Sequence, residues 1–260
     1  WWYLVKDQVG ASPKLSFDGV LYFRSGNHKF HALKVRSQGL ADSSFPTFQG
    51  DNQNSGRFYN RGLDPNYRKP SPKPGPALTP GFGERWSYDG CVATDLEGNL
   101  ALSHNGDIYF DCGYPIEMFI ALHSDGTLNW THPYNQYAHP IITEAAVQDD
   151  GNLHYVVGGT CTSGDFDCED GLLISSDSSG NVLWQADLDV EIPSSPSYGP
   201  DGTIYVGTWI QNGSKTADDG KLYAFAADGD LKWTYDTVGS ALSPAIGGDG
   251  TIFLAGHHSH

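Results

Sequence analysis

One feature of this sequence limits its fold more than any other: a short strand-like segment recurs along the whole chain. GVLYFRSG (19–26), GDIYFDCG (106–113), GNLHYVVGG (151–159), GTIYVGT (202–208) and GTIFLAG (250–256) each place a Gly before an alternating run of β-branched and aromatic residues. Such alternation is the signature of a strand. Asp18-Gly19, Asp150-Gly151, Asp201-Gly202 and Asp249-Gly250 lead into four of them, and Gly supplies the positive φ of a tight hairpin. Each strand therefore has an antiparallel partner upstream. ASPKLSF, NLALSH, IITEAAVQ, SSPSYGP and LSPAIGG fill those places, with a Pro recurring near the strand start, where a missing amide donor is tolerated.

A third element follows in KFHALKV, MFIALHS, GLLISSD and KLYAFAAD, then a polar turn and a fourth strand that carries Trp130, Trp184 or Trp233. Trp86 holds the equivalent place after an insertion, and the successive Trp spacings of 44, 54 and 49 residues suit one propeller blade each. One four-stranded sheet cannot cover both of its faces, but radial stacking covers each face with the next blade. The expected fold is all-β: a single β-propeller over residues 1–260, built of four-stranded antiparallel blades, about five of them recognisable, with almost no helix. A composition of 13% aromatic residues, 32 Gly and 15 Pro agrees with many short strands and tight turns. The large Trp of the outer strand is read as filling the wedge between blades, not as stacking on a ligand.

The stretch 41–85 interrupts the repeat. Its KPSPKPGPALTPG run is Pro-rich, so it is read as an extended surface insertion within the ring that supplies no central strand. The chain opens on Trp1-Trp2, which reads as a processed or excised part of a longer polypeptide. WWYLVKD resembles the Trp-bearing fourth strands and is expected to help close the ring, because the last repeat shows only its first two strands.

These segments resemble the PQQ-like propeller repeats of quinoprotein-type proteins. Their hallmark is an Ala-x-Asp-x-x-Thr-Gly-x-x-x-Trp run, approached here by Ser175-Ser176-Asp177-Ser178-Ser179-Gly180-Asn181-Val182-Leu183-Trp184. FPTFQGDNQNSGR (45–57) is similar to the segment that often opens such a propeller, although here a blade precedes it. The resemblance implies the propeller fold. It leaves function open, since the same repeats serve dehydrogenases, assembly factors and surface proteins. The copies ending at Trp130 and Trp233 have a shorter Asp-Gly turn, as in members that keep the scaffold without the quinone. No adjacent Cys pair and no assignable Asp base beside a calcium-binding Glu and Asn accompany the repeat, so PQQ is not expected and no catalytic residue is assigned.

For a metal, the loop from Cys161 to Gly171 is the candidate. It gathers Asp165, Asp167, Glu169 and Asp170, hard oxygen ligands of the kind calcium takes, although not at EF-hand spacing; a solvated acidic loop stapled by a disulfide is the alternative. Among the pairings open to four Cys, the local Cys161–Cys168 bond is favoured, and Cys91 with Cys112 is a further candidate. His257, His258 and His260 crowd a terminus and are not read as a metal site. Ser194, Ser195 and Ser243 fall in the Pro-containing strands and are read as structural. Asn212-Gly213-Ser214 is an accessible glycan acceptor by its sequence rule, whereas Asn129-Trp130-Thr131 is discounted because it lies in a strand.

The formal charge of −16 repels phosphate backbones, so no nucleic-acid partner is expected. No apolar run approaches the roughly 20 residues of a membrane-spanning helix, so no membrane insertion is expected either. Cysteine usage places the protein in an extracellular or periplasmic compartment. The functional expectation is a non-catalytic binding or scaffold propeller for a protein or glycan partner, with head-to-tail homo-assembly into a surface filament as one form. The alternative is a PQQ- and calcium-dependent quinoprotein oxidoreductase.

Overall fold

The structure is a computed structural model, and it describes residues 14–16, 19–25, 29–34, 57–58, 83–91, 100–113, 118–134, 141–158, 171–188, 192–209, 220–237, 240–241, 243–247 and 249–257. Among these residues there is no helix. The first blade is the sheet of β1 (Lys14–Leu15), β2 (Val20–Ser25), β3 (Lys29–Lys34) and β5 (Gly83–Tyr88), antiparallel throughout. Between β3 and β5 lies β4 (Arg57–Phe58), which belongs to another sheet. The second blade repeats the order with β6 (Leu100–Leu102), β7 (Ile108–Cys112), β8 (Met118–Leu122) and β9 (Leu128–Pro133).

In the third and fourth blades the innermost strand is split. β10 (Ile141–Ile142) and β11 (Ala146–Val147) both pair with β12 (Leu153–Gly158), followed by β13 (Gly171–Ser176) and β14 (Val182–Leu188). β15 (Ile192–Pro193) and β16 (Ser197–Tyr198) likewise pair with β17 (Ile204–Trp209), followed by β18 (Gly220–Phe225) and β19 (Leu231–Thr237). The fifth unit has β20 (Ser240–Ala241), β21 (Ala245–Gly247), β22 (Ile252–Phe253) and β23 (Gly256–His257), with β21 on β22 and β20 on β23, which are the first and second strand positions of a blade. His257, expected at a loose terminus, pairs with Ser240. β4 lies parallel to β21 at the edge of that sheet, so the Pro-rich stretch contributes an edge and not a centre. Its last residues, from Gly83, already belong to β5.

The hairpin glycines explain the register. Gly19, Gly106, Gly151, Gly202 and Gly250 between first and second strands all have φ between 78° and 93°, a region closed to most side chains. In each turn the Gly amide donates to the carbonyl three residues back, as in Gly202 to Gly199 at 3.0 Å.

Packing follows the two-residue period of the strands. On one face of the second blade Ile108, Phe110, Ile120 and Leu122 meet Val20, Tyr22, Phe30 and Ala32 of the first, and Phe110 stacks on Phe30 with ring centroids 4.9 Å apart. On its other face Ala101, Tyr109, Phe119 and Ala121 meet Val147, Leu153, Tyr155 and Val157 of the third, with Phe119 on Tyr155 at 4.4 Å. Val156, Leu173 and Leu188 then meet Ile204, Val206, Tyr223 and Phe225 of the fourth. Because both faces are covered, β12 is buried at every position, and each buried aromatic or aliphatic side chain contributes about 1.5–3 kcal/mol. The outer strands β14 and β19 form the rim and are mostly exposed.

Candidate functional site

The outer Trp residues form a latch with three parts. Trp86, Trp130 and Trp184 sit directly across from Ala32, Ala121 and Ser175 on the third strand of their own blade, where a small side chain leaves room for the indole. Each indole Nε1–H crosses to the third-to-fourth-strand turn of the following blade, donating to the carbonyls of Ser124 (3.1 Å), Ser178 (3.0 Å) and Ala227 (2.8 Å). Two residues beyond each acceptor stands Gly126, Gly180 or Gly229, and a Cβ there would lie 2.5, 2.7 or 2.7 Å from the indole Cδ2. The ring rests on bare glycine. The expectation that these residues fill the wedge holds for three interfaces and fails for the fourth: Trp233 is 38% exposed, and its indole N–H has no acceptor among the described residues.

The latch between the second and third blades has polar reinforcement. Asn129 donates to the Ser178 carbonyl, which gives this Asn an inter-blade structural role and agrees with setting it aside as a glycan acceptor. His132 Nδ1 is 2.8 Å from the Tyr155 hydroxyl, to which Tyr134 donates at 2.7 Å. Burial pushes the Tyr155 phenol up to about 12 and holds the His132 imidazole below its ordinary range.

The split inner strands give the Ser-Pro motif a purpose. Ser194 Oγ accepts from the Gly207 amide at 3.0 Å, and Thr143 Oγ1 accepts from the Val156 amide at 2.9 Å, satisfying second-strand donors where the ladder is interrupted. Ser194 is structural, as expected. The next position, seven residues before the turn Gly, holds Ser195, Ser243 and, in the third blade, Glu144; five before it are Ala101, Ala146, Ser197, Ala245 and, in the first blade, Lys14. The two departures from the repeat meet: Lys14 Nζ is 3.5 Å from Glu144 Oε1, both buried, joining innermost elements of the first and third blades that flank β6.

A second constellation escaped the sequence reading. Ser25 Oγ is 2.8 Å from His31 Nε2, and His31 Nδ1 is 3.1 Å from Glu84 Oε2, the connectivity of a nucleophile, base and acid. Ser25 and His31 are buried, however, and His31 stacks on Phe23 at 4.9 Å, so the relay lies within the sheet and not at a surface open to substrate. Spacing could not reveal it, since Glu84 stands at the far end of the 41–85 stretch, 53 residues after His31.

The two ends of the blades differ. Because neighbouring strands are antiparallel, the first-to-second and third-to-fourth turns share one end, and there the turns 103–107, 123–127, 148–152, 177–181, 199–203 and 226–230 are all of five residues with the same closing bonds, whereas the first blade's third-to-fourth connection runs over 35–82. Asp125, Asp150, Asp177 and Asp201 each accept from a backbone amide of their own turn. The side-chain hydrogen bonds that Thr127 and Asn181 donate, and then these amide bonds, hold the carboxyls of Asp125 and Asp177 below their ordinary range. At the opposite end the connections range from two residues at 238–239 to twelve at 159–170, with ten at 210–219.

The proposed calcium ligands Asp165, Asp167, Glu169 and Asp170 fall in that twelve-residue connection, outside the described residues, as do Cys161, Cys168 and Asn212. Cys91 and Cys112 are bonded, with Cα atoms 5.6 Å apart, tying the segment after β5 to the end of β7 and so the first blade to the second.

Three comparisons bear on the chain as a whole. A family model described as outer membrane protein assembly factor BamB matches residues 119–258. No curated protein matches by sequence. Among solved structures, the Dos1 propeller is similar at 12% identity and a TM-score of 0.57 over 96% of this chain and 53% of that one. A protein of unknown function from Bacteroides caccae aligns at 15% identity and a TM-score of 0.46 over 66% of this chain and 57% of its own. A luciferin-regenerating enzyme aligns at 12% and 0.49 over 95% and 68%. This chain thus spans about half the length of the Dos1 propeller, a likeness that concerns fold alone.

Proposed function

The chain belongs to the family of the outer membrane protein assembly factor BamB, and from that premise we propose that it is a non-catalytic, extracytoplasmic propeller whose loop-bearing end holds a protein partner. The observation that carries this reading is the set of connections of two to twelve residues gathered at the end opposite the five-residue turns, where the turn end has one long departure, the 35–82 connection between β3 and β5. A rigid scaffold that presents connections of varied length is the usual design of a binding module. The Cys91–Cys112 bond supports an oxidising compartment. Calcium at Asp165, Asp167, Glu169 and Asp170 would order the longest of these connections. A different protein is favoured over a second copy, since two chains of formal charge −16 repel one another.

Site-specific photo-crosslinking in the intact cell envelope tests this. A photoreactive residue at Ser214 or Thr162 is expected to trap a protein, and one at Asp125 or Asp228 is expected to trap none. Crosslinks confined to Asp125 and Asp228, or saturable PQQ binding that depends on calcium, would overturn the reading.

A further inference from the structure

We propose that the third blade binds buried, ordered water between the side chains of His154 and Ser175, where it packs on the fourth blade. This site is separate from the loop-bearing end, and either proposal can fail without the other.

The repeat itself singles out the position. Across the middle of a blade the second, third and fourth strands line up a Tyr, an Ala and the outer Trp, as in Tyr22-Ala32-Trp86, Tyr109-Ala121-Trp130 and Tyr205-Ala224-Trp233. In each row the phenol ring lies 5.9–6.1 Å from the indole. The third blade departs from this pattern twice in one row, which reads His154-Ser175-Trp184. A His alone would be a tolerated exchange, but a His directly opposite a Ser brings complementary polar groups to one spot.

Those groups are buried without being satisfied. His154 and Ser175 are each 1% exposed, and neither ring nitrogen nor the Ser175 hydroxyl is hydrogen-bonded among the described residues. A buried donor or acceptor left unmade costs the full desolvation of that group, and protein interiors answer this with ordered water where no side chain is at hand. Gln148 adds a further donor. It lies two residues after Ala146, the residue paired with His154, so strand alternation turns it to the same face, and its Nε2 is buried and unbonded among the described residues.

An imidazole ends short of where a phenol reaches, and a water's share of liquid volume, about 30 Å³, is of the order of that difference. The row therefore has room. Val156, Leu173, Ile204 and Phe225 close the interface with apolar side chains, and the Trp184 ring lies 5.7 Å from that of His154. Burial holds the imidazole neutral, so it brings one donor and one acceptor nitrogen; with a hydroxyl and an amide N–H these supply the three or so bonds that a buried water makes. A small, neutral ligand that both donates and accepts is what such a set selects. A metal ion is not, because no three His, Cys, Asp or Glu side chains converge among the described residues.

A crystal structure of the 260-residue chain tests this directly, with solvent density expected within hydrogen-bond reach of both a His154 ring nitrogen and Ser175 Oγ. Denaturant unfolding gives an independent readout. Ser175→Ala installs the residue of the other rows, so at a dry site it would relieve an unmade hydroxyl and raise the midpoint, whereas at a hydrated site it takes a partner from the water and lowers the midpoint. The lowering is expected. His154→Phe combined with Ser175→Ala removes both members of the pair and should lower the midpoint by less than the two single losses together. A well-resolved interface with no solvent at His154, a His154 ring turned to bond a protein group instead, or a midpoint raised by Ser175→Ala overturns the proposal.

Discussion

Trp184 and Trp233 occupy the same position in consecutive blades, on β14 and β19, and differ in what lies beyond them. Trp184 gives its N–H to Ala227, rests on Gly229 and packs on His154 inside its blade, while Trp233 packs on Tyr205 inside its blade and has no such acceptor or glycine among the described residues. The difference shows that a latch belongs to two blades. The Trp is one half, and the other half is a glycine about 45 residues further along that no inspection of the Trp itself can supply.

Substitutions should separate the two residues. Trp184→Ala is expected to destabilise the chain by about 3–5 kcal/mol, the range for a large aromatic removed from a packed interface, read as a fall in the denaturant midpoint. Breaking the Cys91–Cys112 bond as the double Ser variant should cost about 3 kcal/mol by freeing a loop in the unfolded chain, and loosen the first blade from the second.

A pH titration sharpens the comparison from within the third blade. The row across each blade reads Tyr22-Ala32-Trp86, Tyr109-Ala121-Trp130 and Tyr205-Ala224-Trp233, but His154-Ser175-Trp184 in the third. His154 is buried with neither ring nitrogen hydrogen-bonded among the described residues. Burial lowers its pKa to about 4, against a small opposing pull from Asp150. The unfolded chain therefore binds a proton that the folded one refuses. Stability should be full above the unfolded value near 6.5 and fall by up to about 3 kcal/mol as pH drops from there toward 4. His154→Tyr with Ser175→Ala, which restores the row of the other blades, should flatten that slope in acid-unfolding curves.

Gly229→Ala attacks the same latch from its other side, adding a Cβ at positive φ against the Trp184 ring, and is expected to cost about 2 kcal/mol in thermal unfolding. Trp233→Ala should cost less, about 1–2 kcal/mol, because this residue is 38% exposed and lacks the inter-blade bond.

The sequence alone revealed the strands, the Asp-Gly turns and the place of every outer Trp, since these follow from local alternation and a repeated glycine. What it could not reveal involves partners from separate blades. The carbonyls of Ser124, Ser178 and Ala227 are ordinary backbone atoms, and nothing in their residue types marks them as acceptors. Lys14 and Glu144 were visible as departures once the repeats were aligned on their turn glycines, yet their pairing needed the inner strands brought together around β6. Ser25, His31 and Glu84 meet only because β5 returns to the first blade after the long insertion.

Hydrogen exchange at the indole Nε1–H groups, followed by NMR on the nitrogen-15-labelled chain, tests the latch most directly, because it reads the one bond that distinguishes the two kinds of Trp. The expected result is slow exchange at Trp86, Trp130 and Trp184, with fast, solvent-like exchange at Trp233. Equal protection at Trp184 and Trp233, or fast exchange at all four, would contradict the account.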